Sequence, residues 1–199
     1  MKKYIGKNEQ EAVNLACQDL GITIDELNYE VVREIKSLFS KKVEIECYTT
    51  DMVQEYMESF VRKILTDMKF EVETVTYVQN DRIYLNINSS NNSILIGKGG
   101  VILRALNFIV RNAVQTTFKK RIEISVDING YREERYKKVA GMAKRFGKQV
   151  LRTKADMKLY PMPADERKVM HQVISKMDHL KTESKGEGKN RFMTISYVD

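Results

Sequence analysis

The stretch that most constrains this chain is Ile94-Leu95-Ile96-Gly97-Lys98-Gly99-Gly100. Three glycines and a lysine interrupt an apolar run that resumes at Val101 and continues to about Phe118. Glycine in a helix interior costs about 1 kcal/mol relative to Ala. The spacing therefore predicts a short helix at Ser93–Ile96, a tight turn and a second helix from Val101. Glycines allow positive φ and let backbone approach a phosphate ester closely. The first amides of the following helix lack intrahelical partners and carry the positive end of its dipole. Lys98 adds a mobile cation. The loop is not a Walker A motif, which needs four residues between its glycines and a Lys-Ser/Thr pair after them. Here Val101 follows, with no hydroxyl for magnesium. A GxxG pattern alone fits a plain turn equally well, so its setting carries the weight.

That setting is a regular alternation. Met52, Val53, Tyr56, Phe60, Ile64, Leu65 and Met68 repeat at helical spacing. Glu71–Gln79 and Arg82–Asn88 read as strands joined at Asn80-Asp81, a hairpin signal. Arg121–Ile128 alternates as a last strand. Residues 51–128 thus give the order α-β-β-α-α-β.

Residues 1–50 predict a small αββ unit, with Lys2–Ile5 as a candidate further strand. Asn8 and Glu11 fit a helix N-cap with a reciprocal Glu, and Gly21 fits its end. Tyr29–Ile35 and Val43–Tyr48 alternate like strands. Residues 129–199 predict a long basic helix from Tyr131 to about Leu151 and a short strand at Lys158–Tyr160. A helix opened by Pro163 and reaching about Met177 should follow, then strands at Leu180–Ser184 and Arg191–Val198. The fold class is α+β in three domains, at 1–50, 51–128 and 129–199.

Charge is distributed unevenly over these segments. The net charge is +7, made of −2 in residues 1–50, +1 in 51–128 and +8 in 129–199. Between Gly97 and Ile122 there are 6 basic residues and no acidic one. Such zones suit a polyanion, although a solvated surface has the same look. With 42% hydrophobic and 31% charged residues the chain reads as folded. Cys17 and Cys47 read as two thiols rather than a disulfide framework. No apolar run follows Lys2 and Lys3 as in a signal peptide, and no membrane insertion is expected, so the expected location is cytoplasmic. His171 and His179 are the only histidines and no ligand cluster joins them. Neither a metal nor another cofactor is therefore expected. No carboxylate cluster lies near the GxxG loop and no nucleophile–base pair is visible, which leaves an enzyme such as a nuclease or ATPase the least favoured class.

At Gly97–Gly100 the chain resembles a KH domain, an RNA-binding module whose GxxG loop clamps about four nucleotides of backbone. Together with Leu103, Ala105, Leu106 and Phe108, the segment from Ile94 is similar to the KH segment of the bacterial Jag family. In that family a second nucleic-acid module follows, named for an arginine and a histidine separated by three residues. Arg167-Lys168-Val169-Met170-His171 has that RxxxH pattern. Four positions on a helix put Arg167 and His171 on one face. Tyr131–Arg135, Tyr160-Pro161-Met162 and Ser184–Gly188 are also similar to the family's second module. Residues 1–50 resemble its N-terminal domain but depart at Lys36–Lys42, where the family has a Gly-rich link. At Gly99 the family commonly has a basic residue.

The resemblance implies a single-stranded RNA binder, with single-stranded DNA as an alternative ligand, acting as a bacterial regulator linked to cell-envelope growth and cell shape. The residues expected to bind RNA in the KH domain are Gly97, Lys98, Gly99, Gly100, Arg104 and Arg111. Those expected in the RxxxH domain are Arg167, Lys168 and His171. A small single-KH protein and a second copy of the chain are candidate protein partners. The rival function is a protein-interaction scaffold built on the same folds.

Overall fold

A computed structural model describes residues 1–36 and 41–199. The departure noted at Lys36–Lys42 falls largely on residues 37–40, outside the described residues. The chain divides into two compact units, Met1–Asn129 and Gly130–Asp199.

The first unit opens with β1 (Lys2–Gly6), α1 (Glu9–Leu20), β2 (Asn28–Lys36) and β3 (Lys41–Tyr48). The sheet order is β1-β3-β2, all antiparallel, so the candidate strand at the N-terminus is a real edge strand. Asn8 caps α1, its Oδ1 accepting from Glu11 N at 2.8 Å. Glu11 reaches back one residue beyond the expected cap and accepts from Lys7 N. Gly21, with φ 66°, ends the helix. Ala12, Val13 and Ala16 of α1 pack on Val43, Ile45 and Cys47 of β3. Both cysteines are free thiols.

The middle segment is α2 (Thr50–Asp67), β4 (Val72–Gln79), β5 (Arg82–Ser89), α3 (Asn92–Ile96), α4 (Val101–Phe118) and β6 (Ile124–Ile128). Asn80 and Asp81 both take left-handed φ, 51° and 56°, as a two-residue type I′ hairpin requires. The sheet order is β4-β5-β6, and β6 runs parallel to β5. Leu103, Leu106, Val110 and Val114 of α4, with Val53, Met57 and Val61 of α2, are buried together with Ile83, Leu85 and Val126 of the sheet. The last strand starts at Ile124 rather than Arg121, because β5 starts at Arg82 and offers no ladder partner further back.

By length and apolar composition alone, Asn92–Phe118 matches a membrane crossing. The GxxG turn divides it, and every third or fourth side chain of α4 lies in the domain core.

The second unit is α5 (Tyr131–Thr153), β7 (Met157–Lys158), α6 (Ala164–Ile174), β8 (Leu180–Lys185) and β9 (Phe192–Tyr197). Its sheet order is β7-β9-β8, antiparallel throughout. Val139, Ala143 and Val150 of α5 meet Met170 and Ile174 of α6 and Met193 and Ile195 of β9. Gly147 permits this approach: a Cβ there would stand 2.7 Å from Met177 Sδ. Three boundaries differ from expectation. β7 lies one to two residues earlier, where Met157 and Lys158 find partners in Ile195 and Thr194. Pro163 is the N-cap of α6 rather than its first residue. The helix ends at Ile174 because Met177 N turns back to Ile174 O at 2.9 Å.

Candidate nucleic-acid interface

Gly97, Gly99 and Gly100 all have positive φ (71°, 61° and 75°), a region that glycine enters without strain. Gly97 N donates to Ser93 O and Gly100 N to Gly97 O, both at 3.0 Å. The Gly100 amide, expected to cradle phosphate, is therefore bonded within the loop, and Gly100 is buried. Lys98 and Gly99 are exposed at the tip. A Cβ on Gly99 would meet nothing within 4 Å, whereas one on Gly97 would stand 2.7 Å from Ile102 Cγ1. Arg104 folds back over the loop, its Nη1 donating to Gly99 O at 2.7 Å. Its guanidinium thus sits beside Lys98 and Gly99.

Arg111 lies two turns further along α4 and donates to Ile124 O at 3.5 Å, at the outer edge of β6. Asn107, one turn before it, accepts from Val126 N at 2.8 Å. These two side chains tie α4 to the free edge of the sheet. Nothing in the sequence pattern singles out Asn107. Of the apolar residues flanking the loop, Leu95 and Leu103 are core, while Ile94 is exposed. Val101, Ile102, Phe108 and Ile109 continue an exposed apolar stripe along α4.

In the second unit α6 brings Arg167 and His171 onto one face, above β8. Arg167 Nε donates to Met162 O at 3.3 Å and its Nη1 to Ser184 Oγ at 2.6 Å. His171 Nδ1 lies 2.6 Å from Thr182 Oγ1. Thr182 and Ser184 are alternate residues of β8 and so share one face of the sheet. Lys168 is exposed on the adjoining flank of the helix, away from this pair. Arg191, just before β9, donates from Nε to the same Ser184 Oγ at 3.1 Å. Sequence reasoning missed Thr182 and Arg191 as parts of this site; Ser184 stood only in a segment similar to the family.

The acids nearby are already engaged. Glu166 is buried in the fork of Arg135. Asp165 accepts from Tyr136 OH at 2.9 Å. Burial first, and then that hydrogen bond, push the Tyr136 phenol up. Among the described residues no group of three or more His, Cys, Asp or Glu side chains is placed to hold a metal ion.

Three small sheets with their helices, a GxxG turn and an Arg–His pair on a helix define a multi-domain α+β protein. The Jag N-terminus family matches residues 4–48, and the domain family named for the Arg-x-x-x-His pattern matches residues 137–197. RNA-binding protein KhpB of Bacillus subtilis is 30% identical over 200 residues, covering 96% of each chain. KhpB of Clostridium symbiosum is 30% identical over 202 residues, covering 98% of this chain and 91% of its own. KhpB of Streptococcus pneumoniae serotype 2 is 26% identical over 148 residues, 74% of this chain and 45% of its own. The chain belongs to the Jag family.

Proposed function

We propose that this chain is an RNA-binding protein that grips single strands without catalysing a reaction. Two sites take part. In the KH domain, residues 51–128, Lys98 and the Gly99 amide hold backbone phosphate, Arg104 adds charge beside them, and Arg111 extends the track. In the RxxxH domain, residues 129–199, Arg167 and His171 make the second contact and Lys168 adds charge at its flank. Residues 1–50 serve protein contacts or localisation. The protein acts as a cytoplasmic regulator and needs no cofactor.

The observation that carries this reading is the tip of the GxxG loop. Three positive-φ glycines present an exposed lysine and an unobstructed backbone at the start of an 18-residue helix. The names of the relatives support the ligand class. The test is a Lys98→Asp, Gly99→Asp double variant, which puts two carboxylates where phosphates would sit. A folded double variant with undiminished RNA affinity would contradict the reading.

The exposed apolar stripe of Val101, Ile102, Phe108 and Ile109 favours a second reading, in which α4 docks a protein. Salt separates the two. Polyanion binding weakens steeply with ionic strength, whereas apolar docking does not.

A further inference from the structure

The first unit holds a cavity of about 350 Å³ where β2 and β3 meet the start of α2 and the residues before β6. Its floor is aliphatic: Val53 and Ile83 are buried beneath it and Ile122 is half-buried. Ile83 N donates to Glu123 O at 3.0 Å, which fixes residues 121–123 against β5 as one wall. Ligand pockets begin near this size, so a single small molecule fits and a peptide does not.

One polar group in the cavity has no structural explanation. Tyr48, at the end of β3, is 8% exposed, and its ring packs edge-on against Phe118 with centroids 5.2 Å apart. Its hydroxyl has no hydrogen-bond partner among the described residues, yet the oxygen is not sealed off and opens into the cavity. A phenol buried this far ordinarily finds a partner. Asn28 is the cross-strand neighbour of Tyr48, so the two side chains share one face of the sheet. The Asn28 amide is also unengaged among the described residues. At the rim stand the Asp81 carboxylate, with no ion pair among the described residues, and the Arg121 guanidinium. The Arg121 side chain is 86% exposed, its Nε 3.6 Å from a Glu123 carboxylate that also bonds Arg82 at 3.2 Å.

These groups prescribe a ligand. A primary amide donates and accepts at once, which matches adenine, whose N6 donates and N7 accepts. The phenol offers a further donor to a ring nitrogen. Aliphatic walls suit the faces of a flat ring. At the mouth, a carboxylate accepts from ribose hydroxyls, as acidic side chains do in dinucleotide sites, and a guanidinium suits phosphate. We infer that this cavity binds an adenine nucleotide, read by Asn28 and Tyr48 and anchored at the mouth by Asp81 and Arg121. The site is independent of the GxxG and RxxxH contacts proposed above. A free mononucleotide and the terminal nucleotide of an RNA strand offer it the same chemistry.

The test is equilibrium dialysis of the full chain against the labelled monophosphates of adenosine, guanosine, cytidine and uridine. The Asn28 side-chain amide is followed by NMR with each. A strand of RNA carrying a 5′-terminal adenosine monophosphate is titrated alongside, on the Lys98→Asp, Gly99→Asp double variant to remove the loop contact. Adenosine monophosphate should bind saturably, shift the Asn28 signal and be preferred about tenfold over the pyrimidine nucleotides. A shift with the mononucleotide assigns the free ligand, and a shift with the strand alone assigns its terminal nucleotide.

Tyr48→Phe keeps the ring on Phe118 and removes only the hydroxyl. It should leave the thermal transition of the free protein unchanged and weaken adenosine monophosphate about tenfold. Asn28→Ala should weaken it similarly and abolish the preference for adenine. Arg121→Ala should weaken the monophosphate but not adenosine. An Asn28 signal that neither ligand source moves, equal affinity for all four monophosphates, or undiminished binding by Tyr48→Phe would overturn the site. So would a lowered thermal transition in Tyr48→Phe, which would show that the phenol serves the fold.

Discussion

The carboxylate of Glu166 sits in the fork of Arg135, with Nε 2.9 Å from one oxygen and Nη2 2.8 Å from the other. Glu166 immediately precedes Arg167, yet it points into the junction of α5 and α6, so its charge is engaged away from the face that carries Arg167 and His171. Breaking a buried pair leaves an uncompensated charge. Arg135→Ala should therefore destabilise the protein by about 3 kcal/mol, the lower end for such pairs, since Arg135 is partly exposed. Urea unfolding measures this. Glu166→Gln, which keeps hydrogen-bonding capacity, should cost less. A change below about 1 kcal/mol for Arg135→Ala would show that the pair behaves as a surface salt bridge.

The glycines of the loop should separate by role. Alanine at Gly97 would bring Cβ to 2.7 Å from Ile102 Cγ1, and at Gly99 into open space, both at positive φ. Gly99→Ala should lose about 1 kcal/mol from backbone strain. Gly97→Ala should lose more, and should also lower RNA affinity by displacing α4 from α3. Ile102→Ala, made together with Gly97→Ala, should recover part of the stability. Equal thermal stabilities for the two single variants would refute the distinction.

Much of this was legible in the sequence, because periodicity and turn chemistry agreed. Asn8, Gly21, the Asn80-Asp81 turn and the Val101–Phe118 helix all sit where local rules put them. Boundaries set by partners were not legible. β6 starts where β5 can pair with it, and β7 lies where β9 can. Site chemistry divides the same way. Lys98 and the Arg167–His171 pair are visible as local spacing. The Gly97–Gly100 bond, the Asn107 contact and the meeting of Arg167 with Arg191 on Ser184 depend on which segments the fold brings together.

Acid should loosen the first unit. Hydrogen bonds from Arg33 and then Lys3 hold the Glu44 carboxyl below its ordinary value of 4.5, and one from Lys119 does the same for Glu46. A carboxyl more acidic in the folded than in the unfolded chain stabilises fully above the unfolded value. That contribution is lost as pH falls through the folded one. The transition temperature should thus hold from neutral pH to about 4.5 and drop below it. Glu46→Gln, which removes the link between β3 and the residue after α4, should flatten the drop. A pH profile identical to that of the wild type would exclude Glu46 as a contributor.

In the proposed function a single-stranded RNA is held by phosphate contacts at the GxxG tip and at the RxxxH face. The most direct measurement is RNA affinity against salt concentration for the wild type, the Lys98→Asp, Gly99→Asp double variant and Arg167→Ala. Log affinity should fall steeply and linearly with log salt for the wild type. Each variant should bind more weakly and with a shallower slope, with far-UV circular dichroism unchanged. Binding indifferent to salt and unaltered in both variants would contradict it, and would place any RNA contact elsewhere on the chain.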